Sequence, residues 1–365
     1  MNRKRICIAI LFAIIISALP ISTVDAARGV PGNPEFGYGI SLSSKQGKDI
    51  DVYTTTFRVF TQEIKPDWLA IDLDWASLQP ALNQPINLAE IDKLIEFAAS
   101  NKYPVLLKLS RAPFWAQTAF GPEKEFTRQL VFDLVNRYPD VLKAIEIFPS
   151  ANTLEGWGAL PDAQAYTHLF NYLSQSLPQQ TETPILLVAA GLRLVNKATR
   201  SQMDMDALEF MRGLYQSGIK DSMPVLSLQY ESISGEALDP IGADRIPLRY
   251  YEEVRRVMLE NDHAAGLIWI TNLPASDTTA NSIEWLESAC HLLRAQLYIG
   301  AVFINIPVGA SDSDFSNGAL IFNLNQMDNL LKLIKKLIFQ TRPETWQPTS
   351  SLQDADLIHG EEQIL

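Results

Sequence analysis

The feature that most constrains this chain is an alternation, repeated eight times, of short apolar runs with longer amphipathic ones. The short runs begin near Phe36, Trp68, Pro104, Leu142, Pro184, Pro224, Gly266 and Tyr298. Most are continuous stretches of Val, Ile and Leu, as strands buried on both faces require. Between them, apolar residues recur at helical spacing. In 88–99, the residues Leu88, Ile91, Leu94, Ile95 and Ala98 share one face. Similar patterns occupy 126–138, 162–178, 203–217, 247–260, 281–296 and 325–339, with a less regular one near 50–64. Tyr138-Pro139, Leu177-Pro178 and Gly218 supply stop signals. Strands alternating with helices pair in parallel through right-handed crossovers, and eight such units close the sheet. The expected fold is therefore an α/β, single-domain (β/α)8 TIM barrel over about 30–340. An open doubly wound sheet is the rival, and its nucleotide-binding form would carry a Gly-rich turn after the first strand, which is missing here.

The flanks read differently. Arg3, Lys4 and Arg5 precede an apolar run from Ile6 to Leu19 that Pro20 ends. Val24 and Ala26 have the spacing a signal peptidase reads, so 1–26 is expected to be a signal peptide cleaved after Ala26. An uncleaved membrane anchor is the alternative, since the run approaches spanning length. Either way the body is expected outside the cytoplasm, extracellular or at the cell surface, with membrane contact only through this segment. The stretch 341–365 is polar and reads as a C-terminal tail.

The formal net charge is −12, and loss of Arg3, Lys4, Arg5 and Asp25 takes it to −14. Such an acidic chain lacks the basic footprint of a nucleic-acid binder. Cys290 is the one cysteine beyond the apolar run, so no disulfide staples the body. His168, His263, His291 and His359 form no ligand-spaced pair, and no metal or other cofactor is expected. No Gly-x-Ser-x-Gly elbow is present.

In a barrel of this type the chemistry lies at the C-terminal ends of the strands. Those ends carry Asp72, Asp74 and Trp75; Ser110, Arg111, Phe114 and Trp115; and Glu146, Ser150, Asn152, Glu155 and Trp157. Later ends carry Gln229, Tyr230 and Glu231, then Trp269, Thr271 and Asn272, then Phe303 and Asn305. Asp72 and Asp74 are two residues apart and point the same way, toward the interior or its mouth. Carboxylates there survive as hydrogen-bonded structural pairs or as a site. The tryptophans form either sugar platforms at one rim or ordinary core filling.

Several of these segments resemble the clan of barrel glycosidases that includes cellulases and β-xylosidases. PDWLAIDLDWASLQP is similar to their second-strand segment and PVLLKLSRAPFWA to their third. IEIFPSANTLEGWG is similar to the fourth, where the clan has a Glu-x-Trp-Asn-Glu-Pro run. LIWITNLP is similar to the seventh, with its Thr-Glu. The resemblance implies retaining hydrolysis by two glutamates. Aligning Glu146 with the first Glu of the fourth-strand run puts Ser150 at the acid/base position. On the seventh strand Asn272 stands at the nucleophile position, and on the sixth Gln229 stands where many members have His. Neither Ser nor Asn can replace the carboxylate pair that this reaction needs.

Three readings follow. The first is a non-catalytic carbohydrate-binding barrel, contacting an oligo- or polysaccharide through Trp75, Trp115, Asn152, Trp157, Gln229, Tyr230, Trp269 and Asn305. The second is an active O-glycosyl hydrolase whose carboxylates have moved, drawn from Asp74, Glu146, Glu155 and Glu231. The third is a structural cell-envelope protein that binds no sugar.

Overall fold

A computed structural model of the chain describes residues 36–43, 58, 64–177, 184–195, 197, 200–230, 233, 247–274, 282–307, 329 and 331–337. The N-terminal segment 1–26, the tail 341–365, Glu231 and most of the pattern near 50–64 lie outside them. Eight parallel strands close into a barrel. In chain order these are β1 (Gly37–Ser43), β2 (Trp68–Asp74), β3 (Val105–Ser110), β4 (Leu142–Ile147), β5 (Leu186–Leu194), β6 (Val225–Tyr230), β7 (Leu267–Pro274) and β8 (Ile299–Pro307). Each pairs with its sequence neighbours, and β1 pairs with β8 to complete the circle. The chain is thus a single-domain TIM barrel, as the alternation predicts.

Helices cover the outside: α1 (Ala89–Ser100), α2 (Lys124–Arg137), α3 (Ala163–Ser176), α4 (Ala207–Gln216), α5 (Tyr250–Glu260) and α6 (Ser282–Arg294). A further helical stretch occupies 331–337, within the predicted 325–339. Short acidic side chains start several of them. Glu123, Asp162 and Asp206 each accept two backbone N–H groups from the first turn of α2, α3 and α4. The apolar faces turn inward, and in α1 they comprise Ile91, Leu94, Ile95 and Ala98. Burying each of the three larger side chains contributes about 1.5–3 kcal/mol. Among the described residues no helix is long and apolar enough to cross a membrane.

Strand alternation sends one set of side chains into the barrel, and that interior has two halves. Toward the N-terminal ends it is an apolar plug of Trp68, Ala70, Leu106, Ala144, Val188, Val225, Leu267, Trp269, Ala301 and Phe303. Trp68 and Trp269 meet edge to face with centroids 5.3 Å apart, and Phe303 lies 5.8 Å from Trp269. Phe303 lies over Gly39, where a Cβ would sit 2.1 Å from the ring, so the β1–β8 seam demands glycine. One step further along the same strands the inward residues become polar: Asp72, Lys108, Glu146, Ser227 and Thr271.

Candidate functional site

Three successive strands each place one charge at matching positions of the upper interior. Asp72 of β2 is the register partner of Lys108 of β3, which partners Glu146 of β4. Lys108 Nζ lies 3.3 Å from Asp72 Oδ1. Their exposures differ: the Asp72 side chain is 51% exposed and that of Lys108 only 10%, while Glu146 is wholly buried. Burial pushes the Lys108 ammonium down, but the Asp72 and Glu146 carboxylates outweigh it and hold the group above its usual range. For Glu146 burial wins. It holds the carboxyl above the usual range against the opposing pulls of Lys108, Thr271 and Ser227.

The wall around Glu146 is shaped for it. Ser227 Oγ and Thr271 Oγ1 both lie 2.7 Å from Oε1, while Oε2 has no hydrogen-bond partner. Strand β5 is irregular between Ala189 and Leu192. There Ala190 and Gly191 take φ of 69° and 47°, and a Cβ on Gly191 would stand 2.7 Å from Glu146 Oε1. The Tyr166 hydroxyl of α3 holds this bulge: it accepts the Ala190 N–H at 2.6 Å and donates to Ile147 O at 2.8 Å. Phe148 and Ser150 at the end of β4 and Arg111 at the end of β3 also have positive φ. Backbone strain of this kind, of order 1–3 kcal/mol per residue, concentrates at functional sites.

Above the charges, the ends of β4, β6, β7 and β8 carry a polar, uncharged group of side chains. Ser150 Oγ donates to Gln229 Oε1 at 3.0 Å. Asn305 Nδ2 donates to Asn272 Oδ1 at 2.7 Å, and Asn272 Nδ2 donates to Tyr230 O at 2.6 Å. The Asn305 carbonyl oxygen is buried without a partner. The two positions that the resemblance assigns to catalytic glutamates, Ser150 and Asn272, thus both lie at the C-terminal end of the barrel, each bonded to a neighbouring amide or carbonyl.

The candidate carboxylates among the described residues are engaged in other ways. Asp74 accepts the N–H and hydroxyl of Ser77 to start the short helix Trp75–Leu78, and it pairs with Arg111. Glu155 is 76% exposed and lies 3.4 Å from Arg193. Glu146 is sealed in the interior.

Among the proposed sugar contacts, several are committed to packing. Asn152 donates to Arg193 O and Met205 O and accepts the Arg193 N–H, tying its loop to the end of β5 and to the segment at Met205. Trp157 is 1% exposed, donates to Phe120 O and packs on Phe148 and Tyr166. Trp269 is fully buried in the plug, and Tyr230 is fully buried with its hydroxyl on Leu248 O. Trp75 is also buried, crossing the half-buried Trp115 at right angles. Among the described residues the most exposed aromatic rings are Phe114 and Phe120, at 94% and 69% exposure, on the loop after β3. Cys290 is enclosed by the core, which pushes its thiol up to about 12, and an inert thiol follows.

Neither a protein-family model nor a curated protein sequence matches the chain. Its likeness is to solved structures of barrel glycosidases. A family 39 glycoside hydrolase from Bacteroides cellulosilyticus aligns with TM-score 0.52 and 15% identity, covering 77% of this chain and 57% of that one. A family 30 endoxylanase from Clostridium papyrosolvens aligns with TM-score 0.53 and 12% identity, covering 87% and 76%. A family 5 enzyme from Bifidobacterium longum, solved in complex with Manβ1-4GlcNAc, aligns with TM-score 0.56 and 14% identity, covering 87% and 81%. The chain spans a little over half of the first of these. The fold is a (β/α)8 barrel, similar in structure to these glycoside hydrolases.

Proposed function

We propose that this protein is an exported barrel that binds an oligo- or polysaccharide at its mouth and does not hydrolyse it. The observation that carries this reading is the uncharged network of Ser150, Gln229, Asn272 and Asn305. Retaining hydrolysis needs two carboxylates about 5–5.5 Å apart, one to protonate the leaving oxygen and one to attack. A serine hydroxyl holds its proton too tightly for the first task, and an amide is a poor nucleophile for the second. Hydroxyls and amides both donate and accept hydrogen bonds, which suits a ligand whose own groups are hydroxyls. The strained backbone at Phe148, Ser150 and Ala190 supports a site at this end of the barrel. Hydrolysis by displaced carboxylates has less support, because Asp74 caps a helix and pairs with Arg111, while Glu146 is sealed.

The test is a panel of plant, bacterial and storage polysaccharides incubated with the purified protein. Binding is read by calorimetry and turnover by mass spectrometry. Saccharide binding with no product is expected. Products that disappear in Asp74→Asn or Glu231→Gln would replace this reading with a working hydrolase. No binding and no product would leave a structural envelope role as the better account.

A further inference from the structure

We infer that Asp72 and Lys108 are the anchor for one neutral sugar unit, holding a pair of adjacent hydroxyls deep in the barrel mouth. The inference rests on the saccharide reading above and adds where and how the ligand is held. The pair sits where the apolar plug gives way to the polar layer. Asp72 is the one member of the three-strand charge row that faces solvent, with 51% of its side chain exposed. Its Oδ1 is on Lys108, and half of the side chain remains open to a ligand. Lys108 brings three N–H donors on a long stem and is walled in by the barrel.

The charge pattern selects the ligand class. A free anion meets the exposed Asp72 carboxylate before it reaches the buried ammonium. A free cation meets the Lys108 ammonium beside that carboxylate. A hydroxyl avoids both conflicts, since it donates to Asp72 and accepts from Lys108. Two neighbouring hydroxyls of a pyranose fit a carboxylate and an ammonium side by side, and no net charge is buried with them. The groups above the pair fit the same class: Ser150, Gln229, Asn272 and Asn305 are neutral donors and acceptors.

A second observation points to a ligand rather than to a bare structural ion pair. Glu146, the register neighbour of Lys108, is fully buried with Oε2 unpartnered. Bulged β5 leaves room for it at the cost of positive φ at Ala190. Stability alone does not explain an orphaned carboxylate oxygen inside a strained wall. As a positioning residue, Glu146 attracts the Lys108 ammonium electrostatically from the strand on one side while Asp72 pairs with it from the strand on the other. The ammonium is thereby fixed under the ligand.

The experiment is calorimetric titration of the full-length protein with cellotetraose, xylotetraose and mannotetraose, repeated on Asp72→Asn, Asp72→Glu and Lys108→Gln. Asp92→Asn, on the outer face of α1, is the control. Hydrogen bonds to a charged group contribute roughly 1.5–3 kcal/mol, so Asp72→Asn is expected to weaken Kd by about tenfold or more. Asp72→Asn also takes one carboxylate from the buried Lys108 ammonium, so its melting curve is recorded beside the titration to show that the protein is folded at the titration temperature. Asp72→Glu should restore part of the affinity. Lys108→Gln tests the donor, and if it fails to fold, the Asp72 pair of variants still decides. Wild-type binding that Asp72→Asn leaves within twofold overturns the anchor while the saccharide reading stands. No binding of any tetrasaccharide by the wild type, alongside no binding in the polysaccharide panel, overturns both.

Discussion

The same eight strands build two unlike interiors. Toward their N-terminal ends the inward residues are Trp68, Trp269, Phe303 and a ring of aliphatic side chains. Toward their C-terminal ends they are Asp72, Lys108, Glu146, Ser227 and Thr271, topped by Ser150, Gln229, Asn272 and Asn305. The lower half has register shifts of its own, at Val105/Leu106 and Ile299/Ala301, but keeps its inward face apolar through them. The upper half carries the bulge of β5 and the positive φ of Arg111, Phe148, Ser150 and Ala190. A barrel that needed only to be stable would extend the plug upward, because apolar packing is the cheaper way to fill the space. The contrast teaches that the plug supplies the stability that the mouth consumes.

The largest effect is expected from the plug. Trp269→Ala removes a buried indole between Trp68 and Phe303 and is expected to cost about 3–5 kcal/mol. Urea unfolding measures it. A loss below about 1 kcal/mol, on the scale of an ordinary surface change, would mean that the lower half is loosely filled. Next is the strut beneath the mouth. Tyr166→Phe leaves the Ala190 N–H without its acceptor and the Ile147 carbonyl without its donor. A loss of about 1–3 kcal/mol is expected, with saccharide affinity falling as the bulge relaxes. Unchanged stability would show that β5 holds its bulge without the tyrosine.

How much of this could be read beforehand differs between the same two regions. The barrel was legible because each apolar run is continuous and each helix has a clear face, as in Leu94, Ile95 and Ala98. The upper charges were half legible. Asp72, Lys108 and Glu146 each interrupt an apolar run once, and that shared interruption is a signal. Their pairing depends on strand register, which no single run reveals. The tryptophans show the opposite limit. Trp157 and Trp269 have the composition of a sugar platform, but Trp269 lies third in its strand and so falls in the plug. Trp157 is covered because the turn at Gly121 folds onto it, a contact between distant loops. The exposed rings of Phe114 and Phe120 were in plain view but carried no pattern to separate them from core aromatics. The bulge at Ala190 and Gly191 is silent in sequence, since it sits inside an ordinary apolar run.

The charges themselves sharpen the comparison through pH. Glu146→Gln keeps an acceptor for Ser227 and Thr271 and removes the buried carboxyl. Because burial raises the folded-state pKa, the wild type carries no penalty from this group below its unfolded value. The penalty grows as pH rises from that value through the folded one. Thermal midpoints should therefore show Glu146→Gln gaining on the wild type as pH rises above about 4, the value of the unfolded carboxyl. A difference that stays constant with pH would mean that Glu146 titrates as if exposed.

On the outside of the barrel the sign reverses and the effect shrinks. Asp92 of α1 accepts two bonds from Arg137, at 2.8 and 2.7 Å, and one from the Tyr138 hydroxyl at 2.7 Å. The Arg137 hydrogen bond, with help from Tyr138, holds the carboxyl below its usual range despite some desolvation. A depressed folded-state pKa contributes stability above the unfolded value and loses it as pH falls through the folded one. The side chain is 37% exposed, so solvent screening leaves about 0.5 kcal/mol for the pair. Asp92→Asn should thus be slightly less stable than the wild type near neutrality and converge with it in acid, the reverse of Glu146→Gln. Opposite slopes from two carboxyls of one barrel would separate a charge kept for the site from a charge kept for the fold. Parallel slopes would erase that distinction and return Glu146 to the structural class.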